Sequence, residues 1–224
     1  MAFVITLVIE ASTYAGSAAL IVDGAVAAER SVAMRGREHE ALMPAVAEVL
    51  AEGSVPVARL ERVVCGAGPG SFTSLRIAGG IAKGLALATG VPLVPVSSLA
   101  LLVASRDAIA RGRYLGAIDA MRGEHYVASF VVMDDGELLP EGGASLVASS
   151  ELDAHARQLG ATLVIAGETG AGSAIPHARG AARITKLIDA TRAADLAAWE
   201  PAYGRLAEAQ VKWEATHGRS LADA

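Results

Sequence analysis

The chain has 224 residues, of which 53% are hydrophobic and 19% are charged, so it can bury a sizeable core as one large or two small domains. The formal net charge of −5, without a long basic run, disfavours direct binding to nucleic acid. The single cysteine excludes an internal disulfide, and its apolar surroundings predict a buried thiol in a reducing compartment. We find no pattern typical of a signal peptide or a membrane span and expect a cytoplasmic protein.

The first quarter of the chain predicts three strands and a helix. Residues 3–9 form an unbroken apolar run, which is typical of a strand covered on both faces. Residues 17–22 predict a second strand, and the hairpin signal at Asp23-Gly24 precedes a third strand at residues 25–33. Apolar residues at helical spacing predict a helix over residues 38–52, in which Pro44 marks either a kink or the start of the regular helix.

A glycine-rich segment, residues 66–76, follows the apolar strand at residues 62–65 and leads into a long helix at residues 73–89. Three glycines and a proline within five residues predict a sharp turn that places Ser71 or Thr73 as the helix N-cap.

Two interpretations of this loop stay open. The N–H groups around Gly68 and Gly70 suit a phosphate site at a helix N-terminus, but a tight connection that binds nothing has the same composition. The spacing fits neither the dinucleotide fingerprint, the P-loop nor the nucleophile elbow. Ser71 has no histidine or acid beside it in the sequence, which favours a helix cap over a nucleophile.

The order of elements then repeats. The remaining predicted strands are residues 93–96, 114–119, 125–133, 144–147 and 162–166, and the predicted helices are residues 149–159, 187–199 and 206–217. Strands–helix–strand–helix thus appears twice, which predicts an α/β fold of two lobes with a cleft between them. This is the topology of the two-lobed actin/sugar-kinase/Hsp70-like superfamily. We expect an N-terminal lobe at residues 1–103, with residues 201–224 packing back on it, and a C-terminal lobe at residues 104–200.

An active member of this superfamily needs an acid after the first strand to hold Mg²⁺, phosphate turns from both lobes and an adenosine loop. Glu10 and Asp119 occupy the two strand ends, Thr13 lies in the first turn, and residues 167–170 form a weak adenosine-loop candidate. An ATP-dependent phosphotransferase using Glu10 and Asp119 is therefore one hypothesis. Glutamate is one methylene longer than aspartate and would misplace the metal, so we expect no ATP hydrolysis by this chain alone.

Metal catalysis has the weakest support. The segment that begins at His39 nearly spells the zinc motif H-E-x-x-H, but Met43 stands where the second histidine would be. A metallopeptidase is thus the least favoured hypothesis, and we predict no metal site. We expect His39 at a helix start or at an interface.

The long helix is unusually rich in alanine and glycine. Each interior glycine costs up to about 1 kcal/mol relative to alanine, and close approach by another backbone would compensate. Packing inside the chain and packing against a second chain both remain open.

Four segments resemble the TsaB family. Residues 66–87 resemble its stretch G-x-G-P-G-S-F-T-G-L-R-I-G…A-K-G-L-A-L, and residues 94–99 resemble its G-V-S-S-L segment. Residues 119–126 resemble its D-A-R-x-G-E-V-Y, and residues 37–44 resemble its helix R-x-H-S-x-x-L-L-P. The resemblance implies a glycoprotease-like pseudo-enzyme of tRNA threonylcarbamoyladenosine biosynthesis.

The resemblance also implies partners. It predicts a scaffold that binds and stabilises the catalytic subunit TsaD through two helices, with the ATPase TsaE joining the complex, and a homodimer when the chain is alone. It predicts no cofactor on this chain by itself, nucleotide only at the interface with the catalytic subunit, and only indirect contact with tRNA.

Carried over position by position, the family motif predicts two groups of residues. The partner interface would comprise His39, Leu42, Val46, Arg76, Gly79, Gly80 and Lys83, and the loop would comprise Gly68, Gly70, Ser71 and Thr73. Ser74 and Gly79-Gly80 depart from the usual glycine and Gly-Val, which changes the side chains that the helix presents.

A basic and aromatic tail ends the sequence. It suits contact with RNA or a partner, but a capped terminal helix explains it better; its residues are Tyr203, Arg205, Lys212, Trp213 and Arg219.

Overall fold

The computed structural model describes residues 4–35, 40–167, 172–204 and 216. The strands are β1 Ile5–Glu10, β2 Ala15–Val22, β3 Ala25–Ala33, β4 Arg62–Gly66, β5 Leu93–Val96, β6 Gly112–Asp119, β7 Glu124–Val132, β8 Leu138–Pro140, β9 Ser145–Ala148, β10 Thr162–Ala166 and β11 Ser173–Ala174. The helices are α1 Leu42–Glu52, α2 Phe72–Thr89, α3 Ser98–Ala104, α4 Leu152–Gln158 and α5 Thr185–Ala190, with short 3-10 segments at Val57–Arg59, Ser149–Glu151 and Ala178–Arg183.

Two mixed sheets have the same internal plan. The first has the order β3-β2-β1-β4-β5, in which β1 is antiparallel to β2 and parallel to β4. The second has the order β11-β10-β6-β7-β8, with β9 also paired to β7, and β6 is antiparallel to β7 and parallel to β10. The central strands β1 and β6 are therefore equivalent. The predicted α/β class with a repeated two-lobed plan of the actin/sugar-kinase/Hsp70-like kind is confirmed.

The repeat is incomplete in its second half. Residues 67–92, which include α2, join β4 to β5, whereas only residues 167–172 join β10 to β11. A segment of that length has no room for a counterpart of the 18-residue α2. The long small-residue helix therefore belongs to the first sheet alone.

Each face of the first sheet packs in a separate cluster. One cluster places α1 and α2 over β1, β2 and β4. The other lies between the two sheets and includes α3, all seven residues of which are buried, together with the 3-10 segment Ala178–Arg183. The near-continuous apolar runs of β1 and β2 follow from this, because both faces of these strands are covered.

The first helix begins two residues before its proline. Pro44 lies in the first turn of α1, where its missing N–H has no helical acceptor to lose, so no kink is needed. The carboxylate of Glu40 caps this end and accepts a hydrogen bond from the Met43 N–H at 3.1 Å. The interpretation of Pro44 as a mark of the helix start holds.

The predicted helix over residues 187–199 is wrong. Helix α5 ends at Ala190, and the chain continues without regular helix past residue 199. Residues 191–204, here called the strap, run back to the first sheet, where the Ala194 N–H donates to the Leu93 carbonyl and Trp199 packs against the α1–α2 cluster. Tertiary contacts of the strap thus override its helical propensity. The predicted helix at residues 206–217 and most of the basic and aromatic tail lie outside the described residues.

Candidate functional site

A cleft of about 600 Å³ lies where β1 and β6 end, between the two sheets. Ligands of open α/β sheets bind at this edge, beyond the carboxyl ends of the strands. Four predicted site residues line the cleft, namely Thr13, Gly70, Ser71 and Asp119. Glu10, Gly68 and Thr73 do not line it.

Glu10 is fully buried behind the cleft. Its Oε1 accepts the Ser12 N–H at 2.5 Å, and its Oε2 accepts the Ser98 hydroxyl at 2.9 Å. A Cβ on Gly66 would overlap Oε2, so the glycine makes room for the carboxylate. Burial raises the pKa of Glu10, while hydrogen bonds from Ser12 and Ser98 oppose that rise. The chain's own donors thus hold this carboxylate away from the cleft.

The glycine loop packs between two backbone segments. A Cβ on Gly70 would lie 2.1 Å from the Ser12 carbonyl oxygen, and one on Gly68, at φ +88°, would lie 2.4 Å from the Ala202 carbonyl oxygen. Both glycines are therefore required by close approach, and at Gly68 also by backbone conformation.

Three N–H groups of this loop donate within the chain. Ala67 donates to the Val96 carbonyl, Gly68 to the Ser98 hydroxyl at 3.0 Å, and Ser71 to the Ser12 carbonyl at 2.7 Å. The Ser98 hydroxyl therefore accepts from the loop and donates to Glu10, which links the end of β1, the loop and α3. A phosphate group would compete with these existing bonds, so the geometry favours a tight connection.

Ser71 is the N-cap residue of α2, as one of the two alternatives predicted. Its hydroxyl makes no capping bond and lies 3.1 Å from the Ser74 hydroxyl instead. Asp119 is exposed, and its Oδ1 accepts the Met121 N–H at 2.7 Å, which stabilises the turn after β6. Thr73 is exposed in the first turn of α2.

Three aromatic rings and one arginine form the rim of the cleft, namely Tyr14, Phe72, Tyr203 and Arg35. The Arg35 guanidinium lies 3.1 Å from the centroid of the Tyr14 ring. The Phe72 and Tyr203 rings lie 4.6 Å apart, and the guanidinium of Arg76, which does not itself line the cleft, lies 4.4 Å from the Phe72 centroid. This rim was not predicted from the sequence. The spacing of Phe72 and Arg76 by one helical turn was a usable signal, whereas the approach of Tyr203 was not.

The predicted interface residues divide between the inside and the outside of the chain. Leu42 and Val46 are fully buried in the chain's own core, because they lie on the sheet-facing side of α1. Their side chains therefore cannot contact a partner in this fold, which corrects the prediction for these two positions. His39 lies outside the described residues.

On α2, neighbouring glycines have opposite environments. Gly79 is buried, and a Cβ there would lie 3.2 Å from the Pro201 ring of the strap. Gly80 and Gly84 are exposed, and a Cβ added at either would have no neighbour within 4 Å. Arg76 is exposed, and Lys83 is half-buried, 5.8 Å from the Trp199 ring.

An exposed apolar surface results on the two helices. We define the α1–α2 face by its exposed residues Met43, Ala47, Gly80, Gly84 and Leu87. Met43 and Leu87 are 42% and 68% exposed, although both are large and apolar. The α1–α2 face therefore combines exposed apolar side chains with two helix-interior glycines that have no close neighbour.

Within residues 4–35, 40–167 and 172–204, no group of three or more His, Cys, Asp or Glu side chains could hold a metal ion. In the same part of the chain, no helix combines the length and hydropathy required to cross a membrane.

Comparison with known proteins places this geometry in a family. Residues 11–170 match the family model described as TsaD, tRNA N6-adenosine threonylcarbamoyltransferase. The chain is 38% identical over 128 residues to the TsaB protein of Escherichia coli, described as a tRNA threonylcarbamoyladenosine biosynthesis protein. This match covers 55% of the chain and 54% of the relative, and a similar match to the Haemophilus influenzae TsaB protein covers 56% and 53%. The matched segment thus spans about half the length of these two relatives.

A third relative matches along nearly its whole length. The TsaB protein of Bacillus subtilis is 30% identical over 229 aligned positions, which cover 92% of this chain and 96% of the relative. Among solved structures, YeaZ from Pseudomonas aeruginosa has a TM-score of 0.71 at 25% identity, over 88% of this chain and 98% of that one. A Pseudomonas aeruginosa protein described as similar to peptidase YEAZ has a TM-score of 0.75 at 26% identity, over 90% of this chain and 100% of that one. From these matches and the shared fold, the chain belongs to the TsaB family.

Proposed function

We propose that this chain is a non-catalytic scaffold subunit in the synthesis of tRNA threonylcarbamoyladenosine, and that it binds and stabilises the catalytic subunit TsaD. The α1–α2 face is the observation that carries the proposal. The names of the relatives support the pathway, and the arrangement of the cleft supports the absence of catalysis.

The glycines of the α1–α2 face support a protein partner. Gly80 and Gly84 are one turn apart, and neither is required by a contact within the described part of the chain. Each therefore destabilises the helix by up to about 1 kcal/mol relative to alanine, and no contact within the described residues compensates for this cost. A second helix that packs along the α1–α2 face would bring its backbone close to these glycines and bury Met43 and Leu87. In keeping with the family resemblance, we propose that this helix belongs to TsaD or, when the chain is alone, to a second copy.

The position of Glu10 argues against turnover. A Mg²⁺-binding acid must present its oxygens to the cleft, whereas both oxygens of Glu10 accept hydrogen bonds behind it. Without this acid, the phosphotransferase hypothesis retains only Asp119 at the second strand end. We therefore assign no cofactor to this chain by itself, and place any nucleotide of the complex at the interface with TsaD. TsaE joins this complex in the cytoplasm.

The interface is tested with two leucine substitutions of glycine. Gly80→Leu places a bulky side chain on the α1–α2 face, so the mutant chain should no longer co-elute with TsaD in size-exclusion chromatography with light scattering. Gly143→Leu is the matched control, since Gly143 is equally open but lies in the loop before β9.

The monomer offers a second check on the same mutant. Leucine is a better helix former than glycine, so Gly80→Leu should fold at least as stably as wild type. If Gly80→Leu keeps the complex intact, the α1–α2 face is not the interface. If wild type and TsaD fail to associate at all, the scaffold function itself is wrong.

A further inference from the structure

The rim of the cleft carries a second set of features that the scaffold function does not use. Tyr14 stands in the turn between β1 and β2, lines the cleft and is 45% exposed. Phe72, at the start of α2, and Tyr203, in the strap, also line the cleft. We propose that this rim binds an unpaired nucleobase of an RNA strand, which stacks on these rings while arginines neutralise its phosphates. This departs from the expectation that RNA contacts the chain only indirectly.

Stacking supplies the first part of the affinity. An aromatic ring in a groove gains affinity for any base, because every base has a flat π face. Rings from four separate segments of the chain border this cleft, namely Tyr14, Phe72, Tyr126 and Tyr203, and its volume of about 600 Å³ is large enough for a nucleoside. Met121, 60% exposed, adds an apolar contact from the turn after β6.

Charge supplies the second part. Arg35 stacks on Tyr14, and Arg76 stacks on Phe72, so each aromatic group has a cation beside it. Positive side chains interleaved with rings are the usual composition of single-strand binding grooves. The overall charge of −5 does not exclude this, because the contact is local and the described lining residues include only one acid, Asp119.

That acid predicts a preference among bases. Asp119 Oδ1 accepts the Met121 N–H at 2.7 Å, and the second oxygen of the same carboxylate suits an exocyclic amine. Cytosine presents such a donor, whereas uracil presents an acceptor at the same position. We therefore expect a cytosine to bind more tightly than a uracil.

The interior of the cleft favours a strand of RNA over a free nucleoside triphosphate. Three N–H groups of the glycine loop donate within the chain, and Glu10 is buried with both oxygens bonded, so these groups are not available to a triphosphate and its metal. Arg35 lies at the rim, and Arg76 lies against Phe72, so both guanidinium groups are near the path that the backbone of a strand would take. The source of the RNA rests on the proposed function, whereas the stacking site does not.

Fluorescence anisotropy of the purified full chain with labelled oligocytidylate and oligouridylate tests the proposal. Tyr14→Ala should weaken binding of oligocytidylate by about tenfold or more, whereas Tyr14→Phe keeps the ring and should bind like wild type. Arg35→Ala should weaken binding and reduce the slope of log K against log salt by about 0.7, the value for one contact with a single strand. Arg111→Ala, at the opposite end of β6 from Asp119, is the matched charge control.

Three outcomes would overturn the assignment. The first is a wild-type chain that does not bind either oligonucleotide at low salt. The second is Tyr14→Ala and Arg35→Ala binding as wild type does. The third is cytidine monophosphate binding as tightly as the oligonucleotide, which would make the site one for free nucleotides. Equal affinity for the two oligonucleotides would overturn the role given to Asp119.

The test also separates this proposal from the scaffold function. Tyr14 and Arg35 are not among the residues that define the α1–α2 face, so their variants should still co-elute with TsaD. The Gly80→Leu variant should no longer bind TsaD but should still bind the oligonucleotide. Wild type could fail to bind TsaD while Tyr14→Ala still weakens oligonucleotide binding. That result would refute the scaffold proposal and support the RNA site.

Discussion

Replacement of Glu10 distinguishes a buried structural carboxyl group from a catalytic acid. Glu10→Gln keeps the shape of the side chain and removes its charge, whereas Glu10→Ala removes both acceptors. In the structure the two acceptors pair with the Ser12 N–H and the Ser98 hydroxyl, both of which are buried. The two variants should therefore differ widely in stability, and neither effect should depend on a metal.

The magnitudes follow from the donors that each variant leaves behind. A buried donor without a partner costs about 1–3 kcal/mol, so Glu10→Ala, with two such donors and a new cavity, should lose about 3–5 kcal/mol of unfolding free energy. In Glu10→Gln, the amide oxygen still accepts the Ser12 N–H, but the amide nitrogen is a donor, so the Ser98 hydroxyl loses its acceptor. That variant should lose about 1–2 kcal/mol at neutral pH, less than Glu10→Ala, because it leaves one donor unpaired and no cavity.

The pH dependence of the unfolding free energy gives an independent test of the buried Glu10 carboxyl group. Burial raises the pKa of Glu10 in the folded chain above the ordinary value of 4.5, although hydrogen bonds from Ser12 and Ser98 oppose the shift. Between those two pKa values the folded state binds more protons than the unfolded state, so the unfolding free energy falls as pH rises. The contribution of Glu10 to stability is therefore complete below its pKa in the unfolded state and is lost as pH rises through its pKa in the folded state. Glu10→Gln should lack this part of the pH dependence.

Urea denaturation of the three proteins across the acid to neutral range measures both effects. The reasoning is refuted if Glu10→Gln is as damaging as Glu10→Ala at neutral pH, because the charge would then be needed. It is also refuted if Mg²⁺ stabilises wild type and this effect disappears in Glu10→Gln, because the carboxylate would then reach a metal.

Two further predictions test other contacts. Gly84→Ala should raise the free energy of unfolding by about 1 kcal/mol. Gly79→Ala should raise it by less or lower it, because the added Cβ would lie 3.2 Å from the Pro201 ring. Equal increases for the two variants in urea denaturation would contradict the packing of the strap. Burial lowers the pKa of His177 in the folded chain, although the carboxylate of Glu29 opposes this shift. The neutral imidazole therefore contributes stability above the ordinary pKa of 6.5, and this contribution should be lost as pH falls through the lower pKa of the folded state. His177→Gln should remove that loss in denaturation curves, and an unchanged pH profile would count against the buried, neutral imidazole.

Much of the fold was predictable because its signals are local. The apolar run of β1, the hairpin at Asp23-Gly24 and the glycine turn before α2 each depend on a few neighbouring residues. The segment at residues 187–199 was not predictable in this way. Its apolar spacing suits a helix, but the strap instead follows the first sheet and bonds to Leu93, a residue about a hundred positions earlier.

The site was predictable in part. The sequence alone brings Thr13, Ser71 and Asp119 to strand ends and turns, and the structure gathers them in one cleft. It does not show that Glu10 turns away from that cleft, because the direction of its carboxylate depends on Ser98, which arrives from a distant helix. Nor does it show that Tyr203 closes the rim against Phe72.

Helix α2 shows most directly what sequence and tertiary structure each decide. Its small residues determine that another backbone can approach closely, and its length and start follow from local signals. Its periodicity cannot tell which side is covered, because alanine and glycine on every side leave little hydrophobic contrast between faces. Gly79 and Gly80 are neighbours in sequence, yet the strap covers the first and leaves the second open. That choice is made by contacts between segments far apart in the chain, and it decides which face remains for a partner.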